Sequence, residues 1–121
     1  MKTHVNDPIV VKVSPIVHAS EQLRNLIDQK MDADVVLDVS DLGFATSMML
    51  NELLELRASV VERGHRLIIC CVDERVRGIL SVTELDNVFT IVRDLTEALA
   101  VLKEANHAQT GQPGPNENVS V

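Results

Sequence analysis

The chain has no Trp and no Tyr, and two Phe residues make up its whole aromatic content, 2% of 121 residues. Single-stranded nucleic acid is bound through aromatic platforms for bases and cations for phosphates. Cations are scarce as well: 11 basic side chains stand against 18 acidic ones, for a net charge of −7. The one basic cluster, Arg75 with Arg77, is flanked by Asp73 and Glu74. Nucleic acid and anionic membrane are therefore not expected partners.

Long apolar runs are also missing. None approaches the roughly 20 residues that span a bilayer. The polar start (Lys2, His4, Asn6, Asp7) does not read as a signal peptide, so the expected location is cytoplasmic. Cysteine is limited to the adjacent pair Cys70 and Cys71. Neighbouring side chains on a strand face opposite sides, so a disulfide between them would be strained, and reduced, buried thiols are expected. Thiolate metal sites want spaced pairs and further ligands, which are lacking. The four histidines (His4, His18, His65, His107) show no ligand spacing and are expected in solvated loops. The glycines form no phosphate-cradling loop. No nucleophile, acid–base pair or cofactor motif can be assembled, so neither an enzyme nor a cofactor is expected.

What is present is aliphatic. Hydrophobic residues make up 45% of the chain. A core of Val, Leu, Ile, Met and Ala suits a parallel sheet buried on both faces by helices. The run Ile9-Val10-Val11-Lys12-Val13 reads as a strand, with Pro15 leaving Ile16-Val17 as its end or as a short second strand. Helical spacing follows at Leu23, Leu26, Ile27 and Met31, with Ser20 as the expected N-cap. Val35 to Val39 is a second strand, and Arg66 to Val72 a third. Between them, apolar positions at Met49, Leu50, Leu53, Leu54, Leu56, Val60 and Val61 mark a long helix from Thr46 to Arg63, stopped by Gly64. Asp73 is placed to cap a short helix carrying Val76, Ile79 and Leu80. A fourth strand spans Val88 to Val92, and Asp94-Leu95-Thr96-Glu97 opens a last helix like a capping box. From about His107 the apolar periodicity stops, which divides the chain into a domain at 1–106 and an expected disordered tail at 107–121. Alternating strands and helices imply crossover connections and a mostly parallel sheet.

Five segments, 34–47, 62–65, 73–76, 85–89 and 94–99, in this order and spacing resemble the STAS domain family (sulfate transporter and anti-sigma factor antagonist). The stretch Asp34-Val35-Val36-Leu37-Asp38-Val39-Ser40-Asp41-Leu42-Gly43-Phe44-Ala45-Thr46-Ser47 resembles its signature: an apolar strand, a short turn with a Phe, and Asp-Ser-Ser-Gly-Leu opening a helix. Glu62-Arg63-Gly64-His65, Asp73-Glu74-Arg75-Val76, Leu85-Asp86-Asn87-Val88-Phe89 and Asp94-Leu95-Thr96-Glu97-Ala98-Leu99 continue the likeness in register, over roughly residues 8 to 105. The resemblance implies an α/β, STAS-like fold, with a mostly parallel sheet of four to five strands and about four helices.

It also implies a function, that of an anti-sigma factor antagonist acting in transcription regulation. In the family, the helix start after the second main strand is docked by a partner, an anti-sigma factor or serine kinase-type regulator, which phosphorylates a Ser or Thr there. The sequence departs from the motif: Thr46 stands for the Asp, Ser47 for the first Ser, Met48 for the second Ser and Met49 for the Gly. Ser47 is thus the phosphorylation candidate, and Thr46, Ser47, Met48 and Met49 the candidate partner-binding residues. Thr46 or Ser47 could equally be a plain N-cap. Two consecutive Met cannot both face inward on a helix, so at least one is expected exposed, where it suits an adaptable binding surface. Asp38 and Asp41 are expected to stabilise the turn by Asx-type hydrogen bonds. The alternative function is an unphosphorylated scaffold domain that self-associates as a homodimer or larger assembly.

Overall fold

The computed structural model describes residues 7–14 and 16–111. Its elements run β1 (Ile9–Lys12), α1 (Ile16–Gln29), β2 (Val35–Asp38), α2 (Ser47–Glu62), β3 (Leu67–Cys70), α3 (Glu74–Val82), a 3-10 turn (Leu85–Asn87), β4 (Thr90–Val92) and α4 (Leu95–Gly111). The four strands form one sheet in the order β1-β2-β3-β4, and every pairing is parallel. This is the α/β architecture expected, at the four-stranded end of the range.

The pleat separates two apolar clusters. Val35 and Leu37 of β2 and Leu67 and Ile69 of β3 face one side, where they pack with Ala19, Leu23 and Leu26 of α1, Met49, Leu53, Leu56 and Val60 of α2, and Val76 and Leu80 of α3. Val36, Ile68, Cys70 and Val92 face the other, under Ala98 and Leu102 of α4. Among the described residues, three helices thus cover one face and α4 alone the second. In register, Val10 is aligned with Val36, Ile68 and Thr90 across that second face. Yet Val10 and Thr90, on the outer strands, are exposed, because one helix reaches only the middle of the sheet.

Local signals set the helix ends. Thr46 caps α2, its Oγ1 accepting from Met49 N at 3.1 Å. At the other end Gly64 N donates to Val61 O (2.9 Å) and His65 N to Val60 O (3.0 Å), a Schellman closure that needs the left-handed φ of +84° at Gly64. Asp73 caps α3 by accepting from Arg75 N at 2.8 Å. Asp94 accepts from Glu97 N, and Glu97 reaches back to Arg93 N, both at 2.8 Å, so the expected capping box closes one residue upstream of the cap.

Four expectations are corrected. Ile16 and Val17 belong to α1, because the helix starts a turn early to bring Ala19 into the core. Ser20 is consequently inside α1, where its hydroxyl bonds Glu52 rather than capping. Cys71 leaves the strand at φ +64°, so the two thiols do not face opposite sides: their sulfurs lie 3.6 Å apart, with Cys70 buried and Cys71 half-buried. His65 is not a solvated loop residue but is held between Asp32 (3.0 Å) and Asp34 (3.6 Å). His18 and His107 fall in α1 and α4. Their side chains, His4 and the stretch 112–121 of the expected tail lie outside the described residues. The last helix is described as far as Gly111, past the position where the sequence loses its periodicity. Among the described residues, no helix is long and apolar enough to cross a membrane.

Candidate functional site

The C-terminal ends of the parallel strands carry the loops that start α2 and α3. After β2 the chain must turn sharply, and Asp38 organises the turn by accepting from Ser40 N at 2.9 Å. Burial pushes the Asp38 carboxyl up, but Ser40, the Lys12 ammonium and the Cys71 thiol outweigh it and hold the group below its ordinary value of 3.8. Leu42 N then bonds Val39 O at 3.0 Å, and both side chains are buried, which nails the loop to the core. Asp41, expected in the same role as Asp38, instead faces the Lys12 ammonium at 3.9 Å. Gly43 passes beside Arg75 of α3: a Cβ there would stand 3.2 Å from the guanidinium Nη2. Arg75 is also drawn to Asp73, whose carboxyl is held below its ordinary range by the backbone N–H and side chain of Arg75.

The four candidate residues divide cleanly. Thr46 is the N-cap, with its hydroxyl engaged. Ser47 is the first helical residue; its side chain is exposed and, among the described residues, makes no hydrogen bond. Met48 is 64% exposed. Met49, 2% exposed, belongs to the core, so its side chain is withdrawn from any contact surface. The spacing carried that signal: Met49 heads the stripe Leu53, Leu56, Val60, in steps of four, three and four.

Two features were missed. Phe44, one of the chain's two aromatics, is 50% exposed in the loop before α2. The available signal was its place in the loop before α2, where a ring half in water leaves apolar area uncovered. The second is the Cys70–Cys71 pair beside Asp38, hidden because only backbone geometry reveals it. Away from this edge, an open hollow of about 750 Å³ lies between α1 and the end of α2, lined by Ile27, Asp28, Lys30, Ser59, Glu62 and Arg63. Among the described residues, no three His, Cys, Asp or Glu side chains are grouped to hold a metal ion. The arrangement sets exposed Phe44 and Met48 beside a Ser47 hydroxyl that, among the described residues, is unbonded at a helix N-terminus.

Comparison with known proteins matches this geometry to a family. The STAS domain model matches residues 2–98. Among solved structures, a candidate anti-sigma factor antagonist from Thermotoga maritima superposes with a TM-score of 0.69 at 19% identity, covering 83% of this chain and 92% of that one. A sulfate transporter family protein from Wolinella succinogenes gives 0.72 at 17% identity, covering 87% and 93%. An anti-sigma-factor antagonist (STAS) domain protein from Planctomyces limnophilus gives 0.64 at 19%, covering 74% and 80%. At these identities the likeness shows the fold, while the family match runs from ahead of β1 into α4. The loop-capped start of α2, the all-parallel sheet and the matched span agree, and the chain belongs to the STAS domain family.

Proposed function

We propose that the chain is an anti-sigma-factor-antagonist-like regulatory domain, not an enzyme, that docks a partner protein through Phe44, Ser47 and Met48. The partner is an anti-sigma factor or serine kinase-type regulator in the cytoplasm. The observation that carries this reading is the division of labour at the helix start. Thr46 takes the capping role, and among the described residues the Ser47 hydroxyl is unengaged beside an exposed Met48. A Met side chain adapts to different partner surfaces at small energetic cost.

Phosphorylation of Ser47 is the proposed gate. A phosphate at the first helical position sits favourably at the positive end of the helix dipole, so the domain stays folded. It adds close to two negative charges, about −1.5 to −2 at neutral pH, to a chain already at −7, which repels an acidic partner surface and recruits a basic one.

The second reading is an unphosphorylated scaffold that self-associates. The replacement of the motif's second Ser by Met48 favours it, as does the outer edge of β1, which pairs only with β2 among the described residues. The test is a pull-down from native cytoplasm with wild-type protein and Ser47→Asp, with intact-mass analysis of the native chain. Capture of a regulator or kinase by the wild type, lost with Ser47→Asp, supports gated docking. Identical partners for both forms and no phosphate on the native chain overturn the gate. Capture of its own copies alone moves the assignment to the scaffold.

A further inference from the structure

Cys70 closes β3 and Cys71 follows it with φ +64°, a left-handed conformation that a side chain other than Gly or Asn adopts only at a cost. The turn has a chemical result: it swings the second thiol round until its sulfur lies 3.6 Å from the first. Cys70 sits in the row Lys12, Asp38, Cys70, Val92 that crosses the α4 face at the C-terminal end of the sheet. It is buried, whereas Cys71 is half-buried.

The separation decides which chemistry fits. A direct S–S bond is about 2.05 Å, and consecutive Cα atoms, about 3.8 Å apart, fall short of the range disulfides span without strain. Two bonds of about 2.3 Å to one central atom, meeting at roughly 100°, span about 3.5 Å, close to what the sulfurs already show. The geometry is prearranged for a one-atom bridge. A divalent metal ion is a poor occupant, because only two sulfur donors converge and no group of three or more ligands exists among the described residues. A metal would also have to displace the Cys70 proton, and burial together with Cys71 pushes that thiol up to about 12.

We propose that Cys70 and Cys71 form a vicinal dithiol site for trivalent arsenicals, closing over a single arsenic atom. The reaction is a condensation. An organoarsenic(III) oxide and the two thiols form two As–S bonds. The bonds from arsenic to oxygen break, and both thiol protons leave with that oxygen as one water. Arsenic stays trivalent and nothing is oxidised, so no co-reactant is needed. A firmly held proton on Cys70 is no obstacle, since it departs with the oxide. Cys71, the more accessible sulfur, bonds first, and Cys70 then closes the ring within the molecule. The Cys71 thiol contacts the Asp38 carboxylate that braces the turn at Ser40, so the bridge also removes a partner from the docking loop.

The probe is phenylarsine oxide, titrated into the reduced, folded full chain and followed by intact mass. Expected is a one-to-one adduct at one equivalent, with both cysteines protected from alkylation. A 1,2-dithiol releases it and a monothiol at the same concentration does not. Cys71→Ser, at a half-exposed position, stays folded and binds at least about 100-fold more weakly, because the intramolecular second bond is lost. Cys70→Ala is the second variant, scored only if circular dichroism shows it folded. Equal affinity of wild type and Cys71→Ser overturns the proposal, as does an adduct that forms only in denaturant.

Discussion

The Ser20 hydroxyl donates to the carboxylate of Glu52 at 2.5 Å, joining the second turn of α1 to the second turn of α2 in a part-buried contact. Glu52 is only 8% exposed, and no other hydrogen bond or ion pair reaches it from the described residues. A buried acceptor stripped of its donor loses its full desolvation compensation, so Ser20→Ala should cost about 1–3 kcal/mol in urea unfolding. Replacing both partners with apolar groups (Ser20→Ala with Glu52→Leu) should recover most of that loss. A double-mutant cycle with no coupling would show that the two groups are independent.

Two glycines should respond oppositely to the same change. Gly78 lies within α3 with no atom within 4 Å of an added Cβ, so Gly78→Ala should stabilise by about 0.5–1 kcal/mol. Gly64 has equal space, but its φ of +84° places a new Cβ in the left-handed region. Gly64→Ala should cost about 1–2 kcal/mol through backbone strain alone. Thermal melts of the two variants distinguish backbone strain from crowding.

The adjacent methionines offer a cleaner separation of folding from docking. Met49→Ala removes a core side chain and should cost about 2–5 kcal/mol. Met48→Ala should change stability by no more than about 0.5 kcal/mol, as is usual at the surface. In the pull-down, Met48→Ala should reduce partner capture while its melting curve stays unchanged. Undiminished capture would remove Met48 from the docking surface.

Acid should weaken the turn before α2. Asp38 titrates below its ordinary 3.8 in the folded chain, so its charged form is favoured by folding. That stabilisation is complete above the unfolded value and is lost as pH falls below about 4, through the lower folded one. The stability difference between wild type and Asp38→Asn should therefore be constant near neutrality and shrink on acidification. Parallel curves across that window would show that the Ser40 and Lys12 contacts do not favour the charged form.

Features fixed by near neighbours were legible from the sequence. The caps at Asp73 and Asp94 and the stop at Gly64 depend on a few adjacent residues and lie where the pattern put them, while the strands fall inside the expected runs but are shorter, β3 ending at Cys70 and β4 beginning only at Thr90. Features fixed across the fold were not. Ser20 looked like a cap because its partner, Glu52, is 32 residues away. The pairing of the cysteines depends on one positive φ that no composition or periodicity announces. At the candidate site, the sequence supplied the four residues, while the helix register assigned one to the cap, one to the core and two to the surface.

The strand order has a further consequence. In doubly wound α/β proteins, small ligands settle where the order of strands reverses and two neighbouring crossovers diverge to opposite faces, opening a crevice between their loops. Among the described residues each strand is laid beside the one before it, from β1 to β4, with no reversal of the order. The three crossover helices all leave toward the same side, so their loops stand shoulder to shoulder along the edge. Among the described residues, no strand reversal opens such a crevice at that edge.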